Sequence, residues 1–174
     1  SHALALKNDG TVWAVGNNEF GQLGNGSMVA SSTYMQVPGL TDIVFIETGD
    51  FTSFAVNQTG QLYVWGNNSE GQLGLNDLIN RLSPNLSPIK NVKTVSSGLA
   101  HTAVVTESGK IYTMGANGYG QLGTGSTTQA MSPQHLTSVN GVKNVSAGRH
   151  HTLIHRTDNS VWGTGRNHDK QLGD

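Results

Sequence analysis

The residues Trp13-Ala14-Val15-Gly16-Asn17-Asn18-Glu19-Phe20-Gly21-Gln22-Leu23-Gly24 decide how the rest of the chain reads. They return as Tyr63-Val64-Trp65-Gly66-Asn67-Asn68-Ser69-Glu70-Gly71-Gln72-Leu73-Gly74 and again as Tyr112-Thr113-Met114-Gly115-Ala116-Asn117-Gly118-Tyr119-Gly120-Gln121-Leu122-Gly123. A divergent fourth copy runs Trp162-Gly163-Thr164-Gly165-Arg166-Asn167-His168-Asp169-Lys170-Gln171-Leu172-Gly173. The leading aromatics at 13, 63, 112 and 162 are 50, 49 and 50 residues apart. A period of this size marks a solenoid, a propeller or an array. Cut at its copies, the chain is one segment, 1–174, with a half repeat over 1–24 and repeats over 25–74, 75–123 and 124–174.

Composition fits that reading. The 174 residues include 23 Gly, and only 12% are charged, which suits short strands joined by many tight turns. Apolar residues recur in phase with the repeat, unlike those of a disordered chain. No apolar run approaches the roughly 18 residues of a membrane helix, and no signal peptide is visible, so no membrane partner is expected and a cytoplasmic or nuclear setting is favoured. There is no Cys, which excludes disulfides and thiolate metal sites. Five Asn-X-Ser/Thr triplets begin at Asn25, Asn57, Asn67, Asn85 and Asn144, but a chain this rich in Asn, Ser and Thr produces them by chance. The net charge of −1 argues against nucleic acid as the default partner. Its distribution is uneven: Lys7 stands against six acids in residues 1–74, whereas nine of the ten bases fall in 75–174.

Each repeat opens with a short apolar stretch ending in Gly: Ile43 to Gly49, Val92 to Gly98, Val142 to Gly148. The apolar spacing of three (Ile43 and Ile46, Val92 and Val95, Val142 and Val145) with β-branched residues predicts a strand with a local bulge. Two apolar runs then flank a turn, as in His101–Thr106 and Lys110–Met114 around Glu107-Ser108-Gly109, which predicts a β-hairpin. The matching turns are Asn8-Asp9-Gly10, Gln58-Thr59-Gly60 and Asp158-Asn159-Ser160, where Asn159 replaces Gly at a position expected to have φ > 0. Variable polar connections follow, Asn25–Leu40, Leu75–Lys90 and Thr124–Asn140, and hold Pro38, Pro84, Pro88 and Pro133. The chain is read as all-β, and strict repetition picks a propeller with one four-stranded blade per repeat.

The pattern Gly-Asn-X-X-X-Gly-Gln-Leu-Gly, with Ser97-Gly98-Leu99-Ala100-His101-Thr102 and Ala147-Gly148-Arg149-His150-His151-Thr152 upstream, resembles the regulator-of-chromosome-condensation (RCC) repeat over essentially the whole chain. The resemblance implies a seven-bladed β-propeller, of which about three and a half blades are present. Proteins sharing the repeat include an exchange factor for the Ran GTPase, a plant ultraviolet-B photoreceptor, β-lactamase inhibitors and regions of ubiquitin ligases, so fold alone does not choose a function. The photoreceptor's sensing tryptophan is missing at Gly49-Asp50-Phe51-Thr52-Ser53 and its equivalents, which rejects photoreception. Thr52 replaces the second repeat's His, and Lys170 replaces the first Gly of the fourth Gly-Gln-Leu-Gly.

Repeated residues are read as architecture: His2, His101 and His151 as links to a neighbouring strand, the four Gln as loop braces, the Leu as plugs between blades. Gly118-Tyr119-Gly120-Gln121-Leu122-Gly123 spells a dinucleotide motif but lacks the helix that motif needs. His150, His151, His155 and His168 gather near the end without an acid or thiol pattern, so no metal and no cofactor is expected. No Ser–His–Asp, paired-carboxylate or phosphate-loop context stands out, and no catalytic residue is assigned. Candidate partner-binding residues are the loop apolars Phe20, Met28, Tyr34, Met35, Leu78, Ile79 and Tyr119. The expected function is non-enzymatic protein–protein interaction, with a Ran-like exchange factor and an inhibitory or structural subunit as alternatives. The partner is a protein, and the ring is completed by the rest of a longer propeller or by a second copy, since twice three and a half is seven.

Overall fold

The computed structural model describes residues 1–173, and every turn read from the sequence closes a hairpin. β1 (His2–Leu6) pairs with β2 (Val12–Gly16), and β3 (Ser31–Gln36) adds to β2. The second blade is β4 (Ile43–Thr48), β5 (Thr52–Asn57), β6 (Leu62–Gly66) and β7 (Arg81–Leu86); the third is β8 (Val92–Ser97), β9 (His101–Thr106), β10 (Ile111–Gly115) and β11 (Ala130–His135). β12 (Val142–Ala147), β13 (His151–Arg156) and β14 (Val161–Gly165) form the last sheet. Neighbouring strands are antiparallel throughout, and no helix occurs among the described residues. Asn159 has φ 65°, beside 79°, 76° and 76° for Gly10, Gly60 and Gly109.

The predicted bulge is present at the start of each inner strand. Register slips between Ile43 and Phe45, Val92 and Thr94, and Val142 and Asn144. The extra residue accounts for the apolar spacing of three, because it returns Ile46, Val95 and Val145 to the side of Ile43, Val92 and Val142.

The polar connections hold more order than their sequence suggests. Each contains an outer strand, β3, β7 or β11, and Pro84 and Pro133 lie inside β7 and β11. A missing N–H is harmless there because these strands form sheet edges.

The fourteen strands among the described residues amount to the expected three and a half blades, distributed over four sheets. Among the described residues the first sheet has no inner strand and the last has no outer one. Both end sheets own a complete middle hairpin, so the last sheet of one copy cannot merge with the first of another. Two copies would bring eight sheets to a ring, which corrects the expectation that a pair closes seven blades.

The core sits between blades. Val12, Leu23, Ile43 and Trp65 fill the first interface, Phe54, Leu73, Val95 and Met114 the second, and Ala103, Ile111, Val142 and Ile154 the third. Antiparallel order places the inner-strand turns (49–51, 98–100, 148–150) and the Gly-Gln-Leu-Gly loops at one end of the blades. The hairpin turns and the links between blades lie at the other, tied by Ile43, Val92 and Val142 N–H donating to Gly10, Gly60 and Gly109 carbonyls at 3.2, 2.9 and 3.0 Å.

Candidate functional site

The loop end of the blades is built from the repeated residues. In each copy the Gln side chain braces its own loop: Gln22, Gln72, Gln121 and Gln171 Oε1 accept the N–H of Phe20, Glu70, Tyr119 and Asp169 at 2.9, 2.9, 2.9 and 3.0 Å. The buried Asn18, Asn68 and Asn117 are a second brace that the sequence reading did not single out. Their Oδ1 accepts the N–H of Leu23, Leu73 and Leu122, and their Nδ2 donates to carbonyls of the following segment, as from Asn117 to Ser126 and Thr128. Such loops hold the side chains between them in fixed places.

Two of the repeated histidines, His2 and His101, join blade to blade. His2 Nε2 lies 2.8 Å from Ser53 Oγ, and His101 Nε2 lies 2.8 Å from Thr152 Oγ1. Those hydroxyls donate onward to the carbonyls of Gln22 and Gln121. Each hydroxyl proton is therefore committed, and the imidazole must donate through Nε2–H. Nδ1 of both rings is buried without a partner. Burial pushes both His2 and His101 down to about 4, against a smaller opposing contribution from the Thr52 and His151 backbones. At the Thr52 position the link is a hydroxyl pair, Thr52 Oγ1 to Ser97 Oγ at 3.2 Å. The His151 ring packs on Gly148, where any Cβ would collide with it. Inner strands are linked too: Ala147 N–H donates to Ser96 Oγ at 3.0 Å, and burial pushes the Glu47 carboxyl up, against a smaller opposing effect of the Ser97 backbone.

The loop glycines differ in what surrounds them. A Cβ on Gly21 or Gly71 would stand 2.7 or 2.6 Å from the Cα of Leu82 or Met131, on the next blade's outer strand. On Gly120 the nearest atom would be 4.0 Å away. Lys170 has φ 62°, close to the 81°, 77° and 75° of those glycines, so the position does require a left-handed backbone and Lys adopts it where no outer strand presses.

The predicted partner-binding residues fall in three places. Met28, Leu78 and Ile79 are exposed at equivalent loop tips on the rim, joined by Val29, which the sequence reading missed. Tyr34 is exposed on the edge strand β3, whereas Met35 packs against the first core. Phe20 and Tyr119 lie over the junctions between blades. Phe20 meets Phe51 edge-on with ring centres 5.1 Å apart, and Tyr119 lies 5.1 Å from His150. Phe51, His150 and Arg166 belong to this surface and were also missed. They occupy the columns where aligned copies disagree: Phe20, Glu70, Tyr119 and Asp169; Phe51, Ala100 and His150; Asn17, Asn67, Ala116 and Arg166. Column-by-column comparison of the repeats was the available signal.

Charge divides this face. Glu19, Asp50 and Glu70 belong to the front blades, and Arg149, Arg166 and Lys170 to the back. Burial, then the Arg149 and Arg166 guanidiniums, hold His150 below its usual value. His151 and His155 lie on β13, with His150 and His168 in loops, and no group of three potential metal ligands forms among the described residues.

Comparison with known proteins agrees with this architecture. The regulator of chromosome condensation repeat model matches residues 9–56, 59–105 and 108–154. The human probable E3 ubiquitin-protein ligase HERC4 is 35% identical over 148 residues, which are 80% of this chain and 14% of that protein. The dog X-linked retinitis pigmentosa GTPase regulator is 38% identical over 87 residues, 48% of this chain and 9% of its own length. The chain thus spans a small part of the curated relatives it matches. Among solved structures, Prp20p of Saccharomyces cerevisiae superposes with a TM-score of 0.88 at 22% identity, over 99% of this chain and 45% of that one. Human WBSCR16 gives 0.85 at 22%, over 99% and 47%. Three matched repeats over most of the sequence, on four sheets of propeller geometry, place this chain in the regulator of chromosome condensation repeat family.

Proposed function

We propose that this propeller segment is a protein-interaction module that acts through its loop face, without a cofactor or covalent chemistry of its own. One observation carries the reading. The repeated polar residues bond to one another or to backbone, while side chains that vary between copies (Phe20, Phe51, Glu70, Tyr119, His150, Arg166) take no part in that repeated network and line the loop end. Catalysis needs a unique nucleophile or base beside its activating group, whereas recognition needs varied side chains on a rigid frame. The exposed rim tips Met28, Val29, Leu78 and Ile79 extend the same surface with apolar anchors.

The test is a photo-crosslinker at fixed positions. Benzoylphenylalanine at Tyr119 or Glu70 is expected to capture protein, and the same group at Gln58 or Glu107 in the hairpin turns is not. Equal capture from both ends contradicts the assignment. The GTPase-regulator relative favours a second reading, stimulation of nucleotide release from a small GTPase. Release of a fluorescent guanine nucleotide, measured with and without the chain, separates it from simple binding.

A further inference from the structure

We propose that the junction of the third and fourth blades is an acidic-peptide site, where Arg149, Arg166 and His150 receive the carboxylates of an extended protein segment beside Tyr119. The proposal rests on the loop face being an interaction surface, and it names the chemistry of what that surface takes.

Departures from the repeat converge at this junction. Asn17 and Asn67 brace their own loops, accepting the N–H of Glu19 and Ser69 at 3.0 and 2.9 Å. The fourth copy has Arg166 in that column. Its backbone keeps the repeat's bond, N–H to the His150 carbonyl at 2.9 Å, as Asn67 N–H reaches the Phe51 carbonyl at 2.9 Å. The side chain does not brace the loop backbone as Asn17 and Asn67 do: its guanidinium lies 6.0 Å from the centre of the Tyr119 ring and donates to Asp169 at 3.2 Å. His150 stands where the third blade has Ala100, and His168 meets the same tyrosine edge-on at 6.3 Å. One tyrosine, 46% exposed, is thus ringed by two imidazoles and a guanidinium. The loop beneath it is pinned by Asn117 and Gln121.

The charges here are unbalanced. Among the described residues, Arg149, Arg166 and Lys170 of this end are accompanied by one acid of the same loops, Asp169, which is already engaged with Arg166. Partial burial, then the Arg149 and Arg166 guanidiniums, hold the His150 imidazole below its usual value. A carboxylate at this place would form charge-assisted bonds with the guanidiniums and let the imidazole take its proton. The aromatic face holds a guanidinium flat and leaves its N–H edge for an acceptor.

A nucleic acid strand offers phosphates and stacking bases to the same groups. It would also run toward Glu19, Asp50 and Glu70 on the same face, which repel a long phosphate chain. A short acidic segment needs only the one junction.

The experiment uses the whole chain and a fluorescein-labelled peptide of alternating Glu and Asp, followed by anisotropy at low salt. Binding is expected, weakening as salt is raised. The double variant Arg149→Gln/Arg166→Gln is expected to bind roughly tenfold less tightly with an unchanged melting temperature. The His150 ring resonances should titrate at higher pH with peptide than without it. Unchanged affinity in the double variant, an unmoved His150 titration, or tighter binding of a single-stranded oligonucleotide of equal charge would overturn the proposal. If the peptide does not bind while a crosslinker at position 119 still captures a protein, the acidic chemistry fails and the interaction-module reading stands. If neither occurs, both fail.

Discussion

Lys170 occupies a backbone that the other copies give to glycine, and it shows that one sequence column is subject to two separate demands. The first is φ, which costs an L-residue about 1 kcal/mol. The second is space, which only Gly21 and Gly71 must respect, because an outer strand lies on them. Gly71→Ala is expected to destabilise by about 3 kcal/mol or more, and Gly120→Ala by about 1–2 kcal/mol, in urea titrations. Lys170→Gly should be neutral or stabilise by about 0.5–1 kcal/mol. Equal losses at 71 and 120 would mean that φ alone sets the column. The interblade imidazoles give a pH signature at the same scale. His101 sits near 4 in the fold against 6.5 when free, so the unfolded chain binds more protons between those values. Stability is full above 6.5, declines as pH falls toward 4, and levels off below. From pH 7 to pH 5 this one site removes about 2 kcal/mol. His101→Asn should therefore show a shallower fall over that window in matched urea titrations, and an unchanged slope would contradict the tautomer and burial assigned to the ring.

The Leu of Gly-Gln-Leu-Gly shows that what an element contributes depends on what packs against it. Leu73 is buried between the second and third blades, while Leu172 in the last copy remains partly exposed. Leu73→Ala is expected to cost about 3 kcal/mol and Leu172→Ala about 1 kcal/mol or less, read as shifts in denaturation midpoint. Legibility from sequence follows the same physics. Hairpin turns and inner strands were readable because glycines with positive φ and β-branched residues at a bulged spacing have few other uses. The outer strands were not. Ser31–Gln36, Arg81–Leu86 and Ala130–His135 are polar edge strands, two of them with Pro inside, and carry neither alternation nor an apolar run. The left-handed turns at Asp42 and Asn91 also escaped notice, since their residues look like ordinary loop. Of the surface, Tyr119 and Phe20 stood out by type. Their pairing with His150 and Phe51 was not legible, because the contact crosses from one blade to the next and about thirty residues of chain.

Across the whole molecule, each sequence repeat begins with the outer strand of one blade and ends with the loop of the next, so the repeat unit itself ties blades together. Outer strands press on the preceding blade's loops, hydroxyls and imidazoles bridge the middle strands, and the cores lie between sheets. That frame carries a loop face whose charge changes sign from front to back. The rim tips permit a separate check on its extent. Ile79→Asp, at a side chain 66% exposed, should leave stability within about 0.5 kcal/mol while weakening partner capture. The account's central claim is that varied loop side chains recognise a protein while repeated ones build the frame. Amide hydrogen exchange of the chain, alone and with a captured partner, tests this most directly. The account predicts new protection at the loop end, in segments 17–21, 49–51, 98–100, 118–120, 148–150 and 166–170. Protection centred on the hairpin turns at 58–60 and 107–109 would contradict it.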